Sequence, residues 1–214
     1  MKPIQTLFLS LFLLGVFFPL RSQAHPVSAK GTLGVMMWNQ SFLNDVLVTY
    51  SFARQVAFAG RFQRMTLPSG EMYMYVPQID FLIHYWNFDS ARANIYTYGG
   101  FGANHFANDT SWAGLVGVEA DAESRRLYIS GKTQTFFLKN DQRIYQSQLR
   151  LGIAPYLSEF NELSSWLIVS VQHEPQLIRE WIVTPMVRFY YKNVLWEMGS
   201  SFKGDWMLNF MIHF

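Results

Sequence analysis

Apolar and polar residues alternate along most of this chain. The rhythm is clearest at its end, where Trp206, Leu208, Phe210, Ile212 and Phe214 share one face. Met207, Asn209, Met211 and His213 share the other. A period of two puts one face of a β-strand in an apolar medium and the other in a different one. The same rhythm runs backwards through residues 194–203, 183–191, 167–172, 148–153, 126–134 and 116–121, and further upstream through 78–86, 56–63 and 46–52. Segments 30–38 and 98–102 read as strands with less definite facing. Turn residues recur every ~8–15 positions, the spacing of an all-β sandwich or barrel. The count is twelve strands, with ten as the alternative if the segments between 92 and 121 pair differently. Lys203-Gly204-Asp205 predicts a tight turn into the last strand. Pro185 removes one ladder donor and points to a bulge there.

The start of the chain has a different pattern. Lys2 precedes an apolar run over 7–20, and Ser22-Gln23-Ala24 supplies small residues at a cleavage site. This is the three-part layout of a secretory signal peptide. The run is shorter than the roughly 20 residues of a spanning helix, and Pro19 interrupts it. The expectation is a signal peptide over 1–24, cleaved after Ala24, and one mature domain over 25–214.

Composition then narrows the fold class. Aromatic residues make up 17% of the chain and charged residues 15%, against about 25% charged in an average soluble domain. There is no cysteine, so neither a disulfide framework nor a lipoprotein anchor is expected. The 17 basic and 15 acidic residues nearly balance, which leaves no basic face for nucleic acid. No second apolar run reaches the length of a spanning helix. In lipid every backbone N–H and C=O must pair within the protein, and only helices and closed barrels achieve this. The expected fold is an all-β, antiparallel transmembrane β-barrel.

The terminal strand adds a resemblance. Alternate aromatic or aliphatic residues ending on phenylalanine (Trp206, Phe210 and Phe214 above all) resemble the C-terminal signature of Gram-negative outer-membrane β-barrel proteins. That resemblance implies outer-membrane localisation, outer-membrane lipid around the barrel, and recognition of the last strand by the barrel assembly machinery. Such barrels use even strand numbers with short periplasmic turns. Residues 53–55 and 191–193 fit short turns, 157–164 is longer, and the outer connections 39–42 and 104–110 are short. A soluble periplasmic sandwich or lipocalin-like barrel would also alternate, but explains neither Phe214 nor the scarcity of charge on the outer face.

With the apolar set facing lipid, the lumen receives Arg61, Asp80, His84, Glu119, Asp121, Arg126, Lys132, Arg150, Arg188, Glu197 and Lys203, together with Gln63, Gln78 and Gln134. Charges removed from bulk water need partners. These groups either plug the lumen through mutual ion pairs or line a water-filled pore. Trp38, Trp86, Trp112, Trp166, Trp181, Trp196 and Trp206 are expected in an interfacial girdle. The functional expectation is a pore or passive conduit for small polar solutes, with a non-conducting structural or surface-interaction barrel as the alternative.

Two other classes carry less. Ser130 near Lys132 and Tyr128, and His84 near Asp80, are the candidate hydrolase groupings, though neither forms a local signature. The histidines are scattered, with no pair at H-x₃₋₅-H spacing. Cleavage after Ala24 would expose His25 as a weak copper chelator through its amine and imidazole. No cofactor is implied, and the oligomeric state is left open.

Overall fold

The computed structural model describes residues 26–159 and 161–214, so the expected signal peptide and His25 lie outside the described residues. Twelve strands follow one another in order: β1 (Leu33–Gln40), β2 (Leu43–Ala53), β3 (Val56–Leu67), β4 (Gly70–Asn87), β5 (Ala91–Phe106), β6 (Asp109–Ser124), β7 (Leu127–Leu138), β8 (Arg143–Ile153), β9 (Ser164–Glu174), β10 (Ile178–Tyr191), β11 (Val194–Ser200) and β12 (Trp206–His213). Each pairs antiparallel with its neighbour in sequence, and β1 pairs with β12 to close the barrel. The strand count matches the alternation of the sequence. Several strands are longer than the alternation indicated, β4 reaching 18 residues. No open edge remains, so every strand has a backbone partner on both sides.

Alternation sorts the side chains by face. Val48, Tyr50, Phe52, Phe58, Ile79, Phe81, Val116, Val118, Leu149, Leu151, Leu167 and Val169 point outward and are exposed. An apolar surface this extensive is unfavourable in water, and lipid is the medium that suits it. The inward positions are small, polar or charged at mid-height. Towards the end opposite the C-terminus they become apolar. There Leu43, Met65, Met72, Met74, Val76, Tyr98, Leu115, Phe136, Leu138 and Ile144 pack as one buried cluster inside β2–β8. These inward methionines were not among the expected lumen residues.

Turn chemistry fits the connections. Ala107 and Asn108 both take positive φ between β5 and β6, the conformation a two-residue hairpin of matching twist requires. The 154–163 connection between β8 and β9 is the longest, and it lies at the end that carries the C-terminus.

Three local expectations are corrected. The bulge falls between Leu82 and His84 on β4, where the register against β5 shifts; there is none at Pro185, which pairs in register with Val169. An extra residue reverses the facing of everything beyond it. His84 therefore pairs with outward Ile95, and its ring lies 4.3 Å from that of exposed Trp86. It faces away from the lumen, and Asp80 and His84 are on opposite sides of the wall. The other irregularities of the sheet fall between Ser51 and Ala53 on β2 and between Ile178 and Ile182 on β10. Trp38 and Trp166 point inward instead of joining an outer girdle, and both line the lumen cavity.

Candidate functional site

The inward face can be read as rows that follow the strand register. One row runs Asn94, Asp121, Ser130, Arg150, Ser170, Thr184 from β5 to β10. The next runs Tyr96, Glu119, Lys132, Gln148, Gln172. Neighbouring strands are about 4.8 Å apart, so each row is a ladder of polar groups at that spacing.

Two networks tie opposite walls together. In the first, Arg61 of β3 lies 3.2 Å from Asp45 of β2 and donates to Gln134 Oε1 of β7 at 2.9 Å. The Tyr98 hydroxyl donates to the same oxygen at 2.8 Å. Gln134 in turn donates to Gln146, which also accepts from Gln63 at 3.3 Å. Gly117 makes room for this arrangement, since a Cβ there would lie 2.3 Å from the Tyr98 ring. In the second, Glu197 of β11 accepts from Arg188 Nε at 2.7 Å, Arg150 Nη1 at 3.0 Å and Asn209 Nδ2 at 2.7 Å. The Arg188 guanidinium lies 4.1 Å from the Tyr128 ring centre.

Between these networks is a cavity of about 840 Å³. Its lining starts at the end that carries the C-terminus, with Ser124, Arg125 and residues Leu157, Ser158, Glu159, Asn161 and Glu162 of the β8–β9 connection. It passes Trp38, Glu119, Asp121, Tyr128, Lys132, Arg150, Arg188 and Glu197. It ends at Gln40, Leu43 and Glu174, close to the opposite strand ends. The Lys132 ammonium lies 4.8 Å over the Trp38 ring, so side chains of β7 and β1 meet across the lumen here. The Tyr156 hydroxyl donates to the Leu163 carbonyl at 2.8 Å, which pins the long connection at the cavity mouth.

The expected lumen residues divide accordingly. Glu119, Asp121, Lys132, Arg150, Arg188 and Glu197 line the cavity. Arg61 and Asp80 are inward and buried within the wall networks, where Asp80 accepts from Gln78. Arg126 belongs to the exposed β6–β7 turn, and Lys203 belongs to the β11–β12 turn, where it pairs with Glu180. Both turns stand beyond the strand ends, so a period of two assigns them no face. Tyr128 donates to Ser130 at 2.9 Å, while Lys132 is directed at Trp38. Among the described residues no three acidic or histidine side chains are grouped to hold a metal ion. The cavity residues that sequence reasoning missed include Trp38, Gln40, Asp45, Arg92, Glu123, Gln146, Trp166 and Glu174, and Leu157, Ser158, Glu159, Asn161 and Glu162 of the long connection. Asp45 alternates with outward Val46 and Val48 and was legible; the loop residues carry no periodic signal.

A closed, even-stranded antiparallel barrel with an apolar outer belt and a polar interior defines an outer-membrane β-barrel protein. No family model and no curated protein matches the chain. Among solved structures it is similar to a KdgM porin, at 8% identity over 86% of this chain and 98% of that one, with a TM-score of 0.47. The same porin in complex with disordered oligogalacturonate gives 9% identity and the same coverage and score. A loop L8 deletion mutant of OmpT, an outer membrane protein of Vibrio cholerae, gives 8% identity over 86% and 97% of the two chains, with a TM-score of 0.29. The class assignment rests on strand order and the apolar belt.

Proposed function

We propose that this barrel is a passive conduit for small polar solutes. The observation that carries this reading is the polar cavity, whose lining runs from Arg125 and Glu162 at one rim to Gln40 and Glu174 near the other. Its wall carries both charge signs, so hydrated solutes can exchange water contacts for wall contacts along the way. The narrow zone lies where Lys132 approaches Trp38. Outer-membrane lipid is the partner of the apolar belt. The last strand, with Trp206, Phe210 and Phe214, is the segment offered to the assembly machinery.

Single-channel recording in a planar bilayer tests the conduit. Small, stable conductance steps are expected from the purified, folded barrel. Silence from a preparation that shows heat-modifiable migration overturns the reading. It would favour the non-conducting alternative, which draws on the Arg61–Gln134 bond spanning β3 to β7 across the interior.

A further inference from the structure

The cavity holds an uncompensated positive group beside a carboxylate-bearing strand. Glu197 is 1% exposed and already accepts from Arg188 and Asn209. Arg150 is thus a second guanidinium on one carboxylate, and the three groups together carry a unit of positive charge. The Arg150 side chain is only 8% exposed, yet its Nε and Nη2 have no hydrogen-bond partner among the described residues. Leaving charged donors unpaired in a low-dielectric site is costly, and a ligand that pairs them is correspondingly favoured. Lys132, one register row away, adds to the same positive region.

Two strands along the same rows, β6 presents Asp121 and Glu119 to the cavity. Their backbone is about 10 Å from that of Arg150 and Gln148, twice the strand spacing. Side chains pointing inward from a concave wall converge, which brings the two charge signs closer than the backbones are. The cavity mouth carries three carboxylates, Glu123, Glu159 and Glu162, against the two guanidiniums of Arg92 and Arg125. A simple anion is repelled at the mouth, within a Debye length of about 8 Å. A simple cation passes the mouth but leaves Arg150 unpaired. A molecule with both charges satisfies the mouth, β6 and Arg150 together.

We propose that the cavity contains a binding subsite for a small zwitterion, an amino acid or short peptide. Its carboxylate pairs with Arg150 and Lys132, and its ammonium pairs with Glu119 and Asp121. One or two residues of extended chain separate these charges by about 3.5–7 Å, which suits the converged side chains. The subsite names the solute class for the conduit read above, and rests on that reading only for its role in transport.

Calorimetric titration of the full barrel in detergent micelles tests the subsite without requiring conduction. The probes are glycylglycine, acetate, methylammonium and the neutral N-acetylglycinamide. Glycylglycine is expected to bind at least about tenfold more tightly than either single-charge probe, the equivalent of one charge-assisted hydrogen bond. Arg150→Gln and Glu119→Gln should each weaken glycylglycine by about the same factor. Glu119 is half-buried and its replacement breaks no hydrogen bond among the described residues, so that variant remains informative if Arg150→Gln does not fold. Acetate binding as tightly as glycylglycine overturns the proposal in favour of a plain anion site. Absence of heat with every probe overturns it outright. Current recording on the same preparation separates the two ideas: conduction without glycylglycine binding removes the subsite and keeps the conduit, and binding without conduction does the reverse.

Discussion

Arg150 of β8 meets Glu197 of β11 with Nη1 3.0 Å from Oε2, although two strands lie between them in the wall. Arg188 of β10 meets the same carboxylate at 2.7 Å. The pair therefore spans a chord of the barrel and braces its interior. Replacing Glu197 by glutamine leaves two buried guanidiniums facing each other. Breaking a buried pair in this way typically costs about 3–5 kcal/mol. Urea titration of the barrel in lipid vesicles should show a lower midpoint for Glu197→Gln. Replacing Arg150, Arg188 and Glu197 together by methionine or leucine should recover most of the loss, because no charge is then left unpaired. An unchanged midpoint in the single variant would show that water in the cavity compensates the two guanidiniums.

Gly117 and Tyr98 form a second dependent pair. A Cβ at 117 would lie 2.3 Å from the tyrosine ring. Gly117→Ala must displace that ring and loosen its 2.8 Å hydrogen bond to Gln134. The expected destabilisation is about 1–3 kcal/mol, the range for overpacked interiors. In a Tyr98→Leu background the same alanine should cost clearly less. Equal costs in both backgrounds, measured by the same unfolding titration, would mean that the contact does not limit the site.

Much of the barrel is legible in the alternation of the sequence itself. Val48, Tyr50 and Phe52, or Leu149 and Leu151, reveal their outward face because their strand neighbours Thr49, Ser51 and Arg150 are polar. The signal fails where its premise fails. On β4 one extra residue near Ile83 reverses His84, and a bulge leaves no mark on a pattern that is apolar on both sides of it. Met72 and Met74 alternate with Tyr73 and Tyr75, so both faces look apolar and the buried inward plug cannot be told from a belt. Trp38 and Trp166 are chemically indistinguishable from girdle residues until the register places them inside. Arg126 and Lys203 are assigned inward only by extending a strand rhythm into turns.

The two faces predict opposite tolerance to an added charge. Leu151 points outward and is 51% exposed. Gln148, three residues earlier on β8, points into the cavity. Leu151→Arg at belt height should destabilise by about 2–4 kcal/mol in lipid vesicles. Gln148→Glu, whose carboxylate would face Lys132 directly across the register, should stay within about 1 kcal/mol of the parent, as surface-like sites do. A similar loss for both would contradict the facing of β8.

Lys132 and Trp38 set the expected narrow zone of the conduit, with the ammonium 4.8 Å above the indole. Shortening either side chain removes this side-chain contact across the lumen. Lys132→Ala also leaves Glu119 without its neighbouring cation in the same register row. Single-channel conductance should rise in both Trp38→Ala and Lys132→Ala, and cation preference should rise only in the second. If conductance is insensitive to both, the path runs elsewhere in the lumen.

The seam of the barrel separates stability from assembly. Phe214 N–H donates to the Leu33 carbonyl at 2.8 Å, and Leu33 N–H donates back to Phe214 at 3.2 Å. These two bonds extend the β1–β12 ladder by one more pair. Deleting Phe214 removes both, at a net cost of about 1–3 kcal/mol if each contributes an ordinary amount. Phe214→Ala keeps the backbone bonds and removes only the ring. The purified variant should therefore refold into vesicles with a midpoint close to the parent. In cells, the same variant should accumulate less folded barrel if the terminal ring is read during assembly. Deletion should lower both quantities. The alanine variant reaching parental levels in the membrane would show that the aromatic terminus acts through the seam alone, with no separate role in delivery.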